Sequence, residues 1–199
     1  MSAAAGVAAI VLAGGRSERF GRDDKLLVRI DGSTLLERAV AAVSHVARDV
    51  VVVLPPGAPA VDVPAPARAA HDPIEGEGPL AGVHAGLLEV VRSDVAVVVG
   101  GDMPRLQPPV LRSMIDVLAD PAVELVALDD GEGARPLPIV VRTGPAVDAA
   151  RTLLEGGSRR LRDLVASLRA HVIEAPIWTG LDPQRLTLRD VDVPGDLNR

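Results

Sequence analysis

Apolar residues along this chain follow two alternating patterns, short unbroken runs and longer segments with a helical period. Apolar runs occupy residues 7–12, 49–54 (after an initial Asp49) and 95–99, and such runs are typical of strands that are covered on both faces of a sheet. Between the runs, apolar positions such as Leu36 and Val40 recur every three or four residues, which indicates amphipathic helices. This alternation predicts an α/β domain built around a mostly parallel sheet.

The same patterns set the expected limits of the other elements. Helices are predicted at 34–47, 79–91, 108–118, 145–154 and 158–168, and further strands at 67–71, 124–128, 137–142 and 172–175. Ser33 is the predicted N-cap of the first helix, and 176–187 is predicted to be irregular. We expect one Rossmann-like, three-layer α/β/α domain over residues 1–199, with a mixed sheet in which strand 137–142 or a neighbour runs antiparallel.

Composition narrows the class of protein. Hydrophobic residues make up 48% of the 199 residues and aromatic residues only 1%, so the core must consist of aliphatic side chains. A net charge of −6 argues against a general nucleic-acid binder, and the absence of cysteine excludes a thiolate nucleophile or metal ligand. No apolar stretch approaches the roughly 20 residues of a membrane span, and the N-terminus lacks the basic segment of a signal peptide. We expect a soluble, cytoplasmic protein that binds neither nucleic acid nor membrane.

The first apolar run ends in a glycine-rich, cationic loop. Two glycines stand at 14–15, and four cations follow at Arg16, Arg19, Arg22 and Lys25. Such a loop can bring backbone N–H groups and positive charge against phosphate oxygens. Lys25 is the single lysine among 21 basic residues, which indicates a site that needs a compact ammonium group. The alternative interpretation is a glycine turn beside a solvated run of charges.

Carboxylates follow the other predicted strands. Asp72 comes after strand 67–71, and Asp102 comes after 95–99, at the sheet edge where open α/β folds bind ligands. Asp190 and Asp192 lie on the same side of the chain if that stretch is extended. Carboxylates from separate strands, together with phosphate oxygens, form the oxygen-rich site that Mg²⁺ prefers. Taken alone, Asp102 is equally compatible with a cap or turn residue.

Other kinds of site fit the sequence less well. The first loop lacks the G-K-[ST] of a P-loop and the spacing of a Rossmann G-x-G-x-x-G. Ser17 does not stand in a G-x-S-x-G nucleophile elbow, and the four histidines show no zinc-ligand spacing. The sequence therefore favours a phosphate-binding loop of another type.

Six segments in order resemble the molybdenum cofactor guanylyltransferases, the MobA-like members of the sugar-nucleotidyltransferase-like superfamily. The matching segments are LAGGRSERFGRDDK at 12–25, GPLAGVHAGL at 78–87, GGDMPRLQPPVL at 100–111, GGSRRLRDL at 156–164, DVDVPGDL at 190–197 and, loosely, RPLP at 135–138. The resemblance implies a nucleotide-diphospho-sugar-transferase-like fold and an Mg²⁺-dependent transfer of GMP from GTP to molybdopterin, with release of pyrophosphate. It also implies a molybdoenzyme or another cofactor-biosynthesis protein as a partner.

The resemblance also implies roles for individual residues. Nucleotide contacts fall on Leu12, Ala13, Gly14, Gly15, Lys25, Asp72, Gly78, Pro79, Leu80 and Asp102. The implied catalytic residues are Lys25, Asp102 and Arg19, and the implied metal-side carboxylates are Asp102 and Asp192. In the resembled families LAGG accompanies GTP and LAAG accompanies CTP. A second glycine leaves room for the larger purine edge, so GTP is the expected nucleotide.

This chain departs from the family pattern at three positions. Val53 stands where the family has Asn, Gly101 where it has Cys or Pro, and Arg135 where it has the His of an HP segment.

Two other functions stay open at this point. One is a transferase with another substrate pair, such as a molybdopterin cytidylyltransferase or a phospholactate guanylyltransferase. The other is a non-catalytic, nucleotide-binding adaptor or chaperone of molybdoenzyme maturation.

Overall fold

The computed structural model describes residues 6–14, 25–57, 63–72 and 78–191. The strands are β1 (Val7–Leu12), β2 (Arg29–Ile30), β3 (Ser33–Thr34), β4 (Asp49–Leu54), β5 (Arg68–His71), β6 (Val95–Gly100), β7 (Leu125–Asp129), β8 (Ala134–Arg142) and β9 (Ala170–Ile173). The α-helices are α1 (Leu35–Ser44), α2 (Pro79–Glu89), α3 (Pro108–Val117), α4 (Thr143–Glu155), α5 (Leu161–Ser167) and α6 (Ala175–Trp178). Within these residues, no helix is both long and apolar enough to cross a membrane.

Seven of these strands form one mixed sheet in the order β5-β4-β1-β6-β8-β7-β9. Strand β8 pairs antiparallel with both β6 and β7, whereas the β1–β4, β1–β6, β4–β5 and β7–β9 pairs are parallel. The prediction of a mostly parallel sheet with an antiparallel strand at 137–142 is therefore confirmed. Since β8 runs the opposite way, its first residues lie at the same edge of the sheet as the last residues of β1 and β6.

Alternate residues of the central strands supply two cores, one on each face of the sheet. In β1, Ala9 and Val11 belong to the core that includes α1, α3 and the buried Trp178. Ala8 and Ile10 belong to the core that includes α2, α4 and α5. This two-sided burial explains why the strand reads as an unbroken apolar run, and it confirms the three-layer α/β/α architecture.

Glycines let α2 lie close against the sheet. A Cβ added at Gly86 would lie 2.5 Å from Ile10 Cγ2 and 3.0 Å from Val53 Cγ2. A Cβ at Gly82 would lie 3.5 Å from Leu12 Cδ2, so contact is closest in the second half of the helix. The spacing of the glycines thus reflects packing against β1 and β4.

Two local predictions were wrong. The N-cap of α1 is Thr34, whose hydroxyl accepts from the Glu37 amide while the Glu37 carboxylate accepts from the Thr34 amide. Ser33 instead pairs with Ile30 in the β2–β3 hairpin. The stretch 176–187 is also more regular than expected, because it holds most of α6 and the first residues of a 3-10 helix, Leu186–Leu188.

The close contact of α2 with the sheet predicts that Gly86→Ala destabilises the fold. Overpacking of a core contact costs about 1–3 kcal/mol, of which the better helix propensity of alanine recovers at most about 1 kcal/mol. Gly144 in α4 is the matched control, because a Cβ there would meet no heavy atom within 4 Å. Urea unfolding should give Gly86→Ala a lower free energy of unfolding than wild type, and Gly144→Ala an equal or higher one. Equal stability of Gly86→Ala and wild type would contradict the packing described.

Candidate functional site

The carboxyl end of β1 is held between the ends of β4 and β6. The Ala13 amide donates to the Val53 carbonyl at 2.8 Å, and the Gly101 amide donates to the Leu12 carbonyl at 2.9 Å. Ala13 is buried, but the next residue, Gly14, is exposed, and a Cβ there would meet no heavy atom of the described residues within 4 Å. The chain therefore leaves β1 at a fixed point, where Gly14 is exposed.

Asp72 lies at the same edge of the sheet, one strand beyond β4. Its amide donates to the Leu54 carbonyl at 2.9 Å, which fixes the backbone just after β5. Its carboxylate lies beside α2, since Asp72 Oδ2 is 3.9 Å from the position of a Cβ on Gly82, and Leu12 Cδ2 is 3.5 Å from that same position. The glycine in α2 thus brings together two residues, Leu12 and Asp72, that the sequence places in a nucleotide site.

The segment before α2 meets the segment before α5. Gly78 has a φ of +77°, and a Cβ there would lie 3.0 Å from the Arg159 carbonyl oxygen. The Leu80 amide donates to the same carbonyl at 3.4 Å, while the Leu80 side chain is fully buried and Pro79 begins the helix. Two of the motifs named above, GPLAGVHAGL and GGSRRLRDL, are therefore in contact although about 80 residues separate Gly78 from Arg159.

Asp102 follows β6 in a turn that leaves little room for other side chains. The Met103 amide donates to the Gly100 carbonyl at 3.3 Å and closes the turn. A Cβ on Gly100 would collide with Asp102 Oδ1 and would lie 3.3 Å from Met103 Cγ. Asp102 itself is half-buried. Its carboxylate is thus packed against the backbone of the strand end.

A short 3-10 helix, Lys25–Leu27, packs against the same turn. A Cβ on Gly101 would lie 3.3 Å from Leu26 Cδ2 and 3.1 Å from the carbonyl oxygen of Leu12. Leu26 is partly buried against the core on this face. The backbone of Lys25 therefore begins a helical turn beside the strand end that carries Asp102, whereas its side chain lies outside the described residues.

The segment after β9 returns to the site and is anchored by buried polar contacts. The indole N–H of Trp178 donates to the Asp129 carbonyl at 2.8 Å. The Asp182 carboxylate, 3% exposed, accepts from the Thr187 amide at 2.7 Å, and the Thr187 hydroxyl accepts from the Gln107 amide at 3.2 Å. These bonds join the returning segment to β7 and to the start of α3.

The returning segment ends beside Asp102. The Val191 amide donates to the Asp102 carbonyl at 3.0 Å, and Asp190 is the residue before it. Asp192, the second expected metal-side carboxylate, lies outside the described residues, as do Gly15 and Arg19. The structure therefore brings the 190–191 backbone to the β6 end, beside the Asp102 with which the sequence analysis grouped this stretch.

Sequence analysis missed a cationic pocket next to this strand end. The pocket has a volume of about 670 Å³ and is lined by Pro104, Arg105, Arg135, Leu188, Arg189, Asp190 and Val191. Its residues come from three separate segments, and in a chain with 20 arginines none of them stands out by spacing. The single signal was the loose match at 135–138, where Arg135 replaces the family's histidine.

The few carboxylates at this edge suit Mg²⁺, which can share its ligands with substrate phosphates, better than they suit a metal whose ligands are all protein side chains. Among the described residues, no group of three or more His, Cys, Asp and Glu side chains is placed to hold a metal. Mg²⁺ is commonly bound by one or two carboxylates together with substrate phosphates. A half-buried Asp102 beside the end of β1, where Gly14 is exposed, fits that arrangement.

His84 in the α2 motif does not belong to the site. Burial lowers the pKa of its imidazole, and the neighbouring Arg151 guanidinium lowers the pKa further. Its Nε2 is buried and has no hydrogen-bond partner. Both effects favour the neutral form of this imidazole, which lies near Arg151 of α4.

Comparison with known proteins shows which family the sequence of this chain resembles. The sequence model of the family described as MobA-like NTP transferase domain matches residues 9–172. A Chloroflexus aggregans protein named "Probable molybdenum cofactor guanylyltransferase" is 33% identical over 193 residues, which cover 94% of this chain and 90% of that protein.

Two solved structures share the fold. The Archaeoglobus fulgidus protein titled "Molybdopterin-guanine dinucleotide biosynthesis protein A" superposes with a TM-score of 0.80 at 22% identity, covering 96% of this chain and 95% of that chain. An Anaerococcus prevotii 4-diphosphocytidyl-2C-methyl-D-erythritol synthase gives a TM-score of 0.71 at 14% identity, covering 96% and 92%. Likeness at these identities shows the fold alone, which is the α/β fold that the sequence predicts.

Proposed function

Because this chain belongs to the family of MobA-like NTP transferase domains and is a nucleotidyltransferase, we propose that it transfers GMP from GTP to a molybdopterin-type acceptor and releases pyrophosphate. The observation that carries the proposal is the junction of two strand ends. The bond from the Gly101 amide to the Leu12 carbonyl places the start of the glycine loop next to the strand end that bears Asp102. A nucleotide lying along that junction can meet both.

In the proposed reaction an oxygen of the acceptor phosphate attacks the α-phosphorus of GTP. The bond from that phosphorus to the oxygen bridging the α- and β-phosphates breaks, and pyrophosphate leaves with that oxygen. Such a transfer depends on alignment and on neutralisation of charge rather than on a protein nucleophile. This requirement agrees with a chain that has no cysteine and no serine in a nucleophile elbow.

The proposed binding roles follow the layout of the sheet edge. Leu12, Ala13, Gly14 and Gly15 hold the base and ribose through backbone groups, and Asp72 contacts the nucleoside. The segment Gly78, Pro79 and Leu80 closes the far side of the nucleotide. Lys25 and Arg19 neutralise the phosphates and the charge that develops on pyrophosphate.

The proposed metal is Mg²⁺, held by Asp102 with Asp192. When bound, Mg²⁺ supplies positive charge to the phosphate oxygens. The protein's own part is to keep the Asp102 carboxylate in a packed turn, where Gly100 leaves it room, and to hold Val191 beside it. Asp102 is the residue of this pair whose surroundings the structure describes.

Recognition of the base is proposed to rest on backbone groups. The side chain of Val53 is 2% exposed and packs in the core with α2, and its carbonyl accepts from the Ala13 amide. Val53 therefore has no polar side chain for the contact that the family's asparagine would make, so that contact is proposed to be backbone-only or missing. The LAGG sequence at 12–15 is what favours GTP over CTP here.

The remaining expectations complete the proposal. Residues 1–199 form a single nucleotidyltransferase domain, and a reaction that consumes GTP takes place in the cytoplasm. A molybdoenzyme or another cofactor-biosynthesis protein receives the product.

We predict that Asp102→Asn lowers Mg²⁺-dependent turnover by about 10²–10³, since loss of one group that stabilises transition-state charge has an effect of this order. The matched control is Asp116→Asn, which removes one carboxylate from the exposed face of α3. Pyrophosphate release with GTP and molybdopterin measures the effect. Near-normal turnover of Asp102→Asn, with Mg²⁺ dependence retained, would remove Asp102 from the metal site.

We predict that GTP binds more tightly than CTP by about 10–200-fold, the range that a steric and hydrogen-bond difference in a binding slot gives. Calorimetric titration of GTP, CTP and ATP in the presence of Mg²⁺ measures this ratio. Equal affinities, or a preference for CTP, would contradict guanylyl transfer while leaving nucleotidyl transfer in place.

A further inference from the structure

We propose that the pocket lined by Arg105, Arg135 and Arg189 binds the phosphate monoester of the acceptor, and that these three arginines select acceptors that carry such a group. This inference rests on the proposed function, because it names the chemistry of the second substrate. We call this site the arginine pocket. Arg105 and Arg135 lie in segments that match the family, but the resemblance gives none of the three arginines a role.

The arginine pocket lies on the opposite side of Asp102 from the proposed nucleotide contacts. Strand β6 stands between β1 and β8 in the sheet, and Val98 of β6 pairs with Ile139 of β8. Since β8 is antiparallel, the chain from Ile139 back to Arg135 runs along β6 and past its carboxyl end. The end of β1 and the arginine pocket thus flank the β6 end, as two substrates of a transfer reaction must flank the reacting phosphorus.

The pocket is also joined directly to the Asp102 turn. Pro104 and Arg105 come two and three residues after Asp102. On the other wall, Val191 lines the pocket and its amide donates to the Asp102 carbonyl at 3.0 Å. A group bound in the arginine pocket is therefore next to the residue that we propose to hold the metal.

The charge of the lining favours an anion. Three guanidinium groups and one carboxylate, that of Asp190, line the pocket, so its formal charge is +2, in a chain whose net charge is −6. Asp130, outside the lining, lies 3.6 Å from Arg135 Nη1 and offsets part of this charge. The lining stays net positive, which favours an anionic phosphate monoester.

The side chain of Arg135 is not hydrogen-bonded in the way that an arginine with a structural role is. Arg142 donates to the carbonyls of Val123, Leu118 and Asp120 at 2.6–3.1 Å, which ties together the end of α3 and the start of β7. The Arg135 side chain, 37% exposed, makes the 3.6 Å ion pair but no hydrogen bond within the described part of the chain. Its donors are therefore not used to hold the fold together.

Guanidinium groups suit a phosphate ligand for a geometric reason. Arginine presents paired N–H donors that bind phosphate oxygens in a fork, whereas lysine acts as a point charge. The walls of the pocket also include Pro104, Leu188 and Val191, so an apolar body of the ligand can lie against them. A volume of about 670 Å³ accommodates a phosphate attached to a fused ring system.

The test compares Arg135→Gln and Arg189→Gln with Arg92→Gln. Arg92 is exposed and precedes β6, at the opposite edge of the sheet, so it controls for the loss of one positive charge. Arg189 is exposed, which keeps the test valid if Arg135→Gln fails to fold. Phenyl phosphate, a simple phosphate monoester, is titrated into each protein with the nucleotide site saturated with GTP and Mg²⁺. Steady-state kinetics then give KM for molybdopterin and for GTP.

We expect phenyl phosphate affinity to fall at least about tenfold in the two pocket variants, the effect of losing a hydrogen bond to a charged group. KM for molybdopterin should rise by a similar factor, KM for GTP should stay unchanged, and Arg92→Gln should match wild type. Arg135→Lys should recover only part of the affinity, because it restores the charge without the fork.

Two results would overturn the proposal. One is equal phenyl phosphate affinity in all variants. The other is weaker inhibition by pyrophosphate in the pocket variants with acceptor KM unchanged, which would assign the pocket to the leaving group. Failure of the proposed function looks different, because wild type would then transfer no GMP to molybdopterin. The phenyl phosphate titration, repeated with the nucleotide that does bind or with none, would still decide whether the pocket takes a phosphate monoester.

Discussion

The site depends on a close approach between the ends of β1 and β6. The Gly101 amide donates to the Leu12 carbonyl, and a Cβ at Gly101 would lie 3.1 Å from that same carbonyl oxygen. Glycine at this position therefore permits the two strand ends to meet with Leu26 packed over them. The ends of β1 and β6, and with them Gly14 and Asp102, are therefore held side by side by a backbone contact rather than by long side chains.

The returning segment 175–191 adds a second constraint on the same point. It is fixed by Trp178, Asp182 and Thr187, which are all buried, and it ends on the Asp102 carbonyl. Burial of polar groups is stable only when they are hydrogen-bonded, and each of these three is. The outer wall of the site is thus held by contacts that lie away from it, which leaves Arg135 and Arg189 available for binding.

Much of the fold could be predicted from the sequence, because strands that are buried on both faces consist of consecutive apolar residues. The runs at 7–12 and 49–54 became β1 and β4 with the same limits, and the antiparallel strand was placed correctly. The short α6 was missed because four residues carry no helical period, and the N-cap was misplaced because Ser33 and Thr34 are both good caps. Gly82 and Gly86 are four residues apart in the sequence, but only the structure shows that β1 and β4 cover their side of α2.

The site was predicted less completely, for a physical reason. Asp72, Asp102 and the β1 loop each follow a strand, and the topology of parallel sheets brings such positions together. The arginine pocket follows no such rule, because Arg105, Arg135 and Arg189 meet through an antiparallel strand and a returning segment whose path the sequence does not specify. Arginine is also the common surface cation of this chain, so the presence of an arginine does not by itself indicate a binding site.

A crystal structure of the protein with GTP and Mg²⁺ tests the central claim most directly, namely that one nucleotide spans the junction of β1 and β6. The account predicts the guanine and ribose against Leu12, Ala13 and Gly14, with the metal on the Asp102 carboxylate and the α-phosphate facing the arginine pocket. A nucleotide bound elsewhere, or bound at the junction with its phosphates directed away from Asp102, would contradict it.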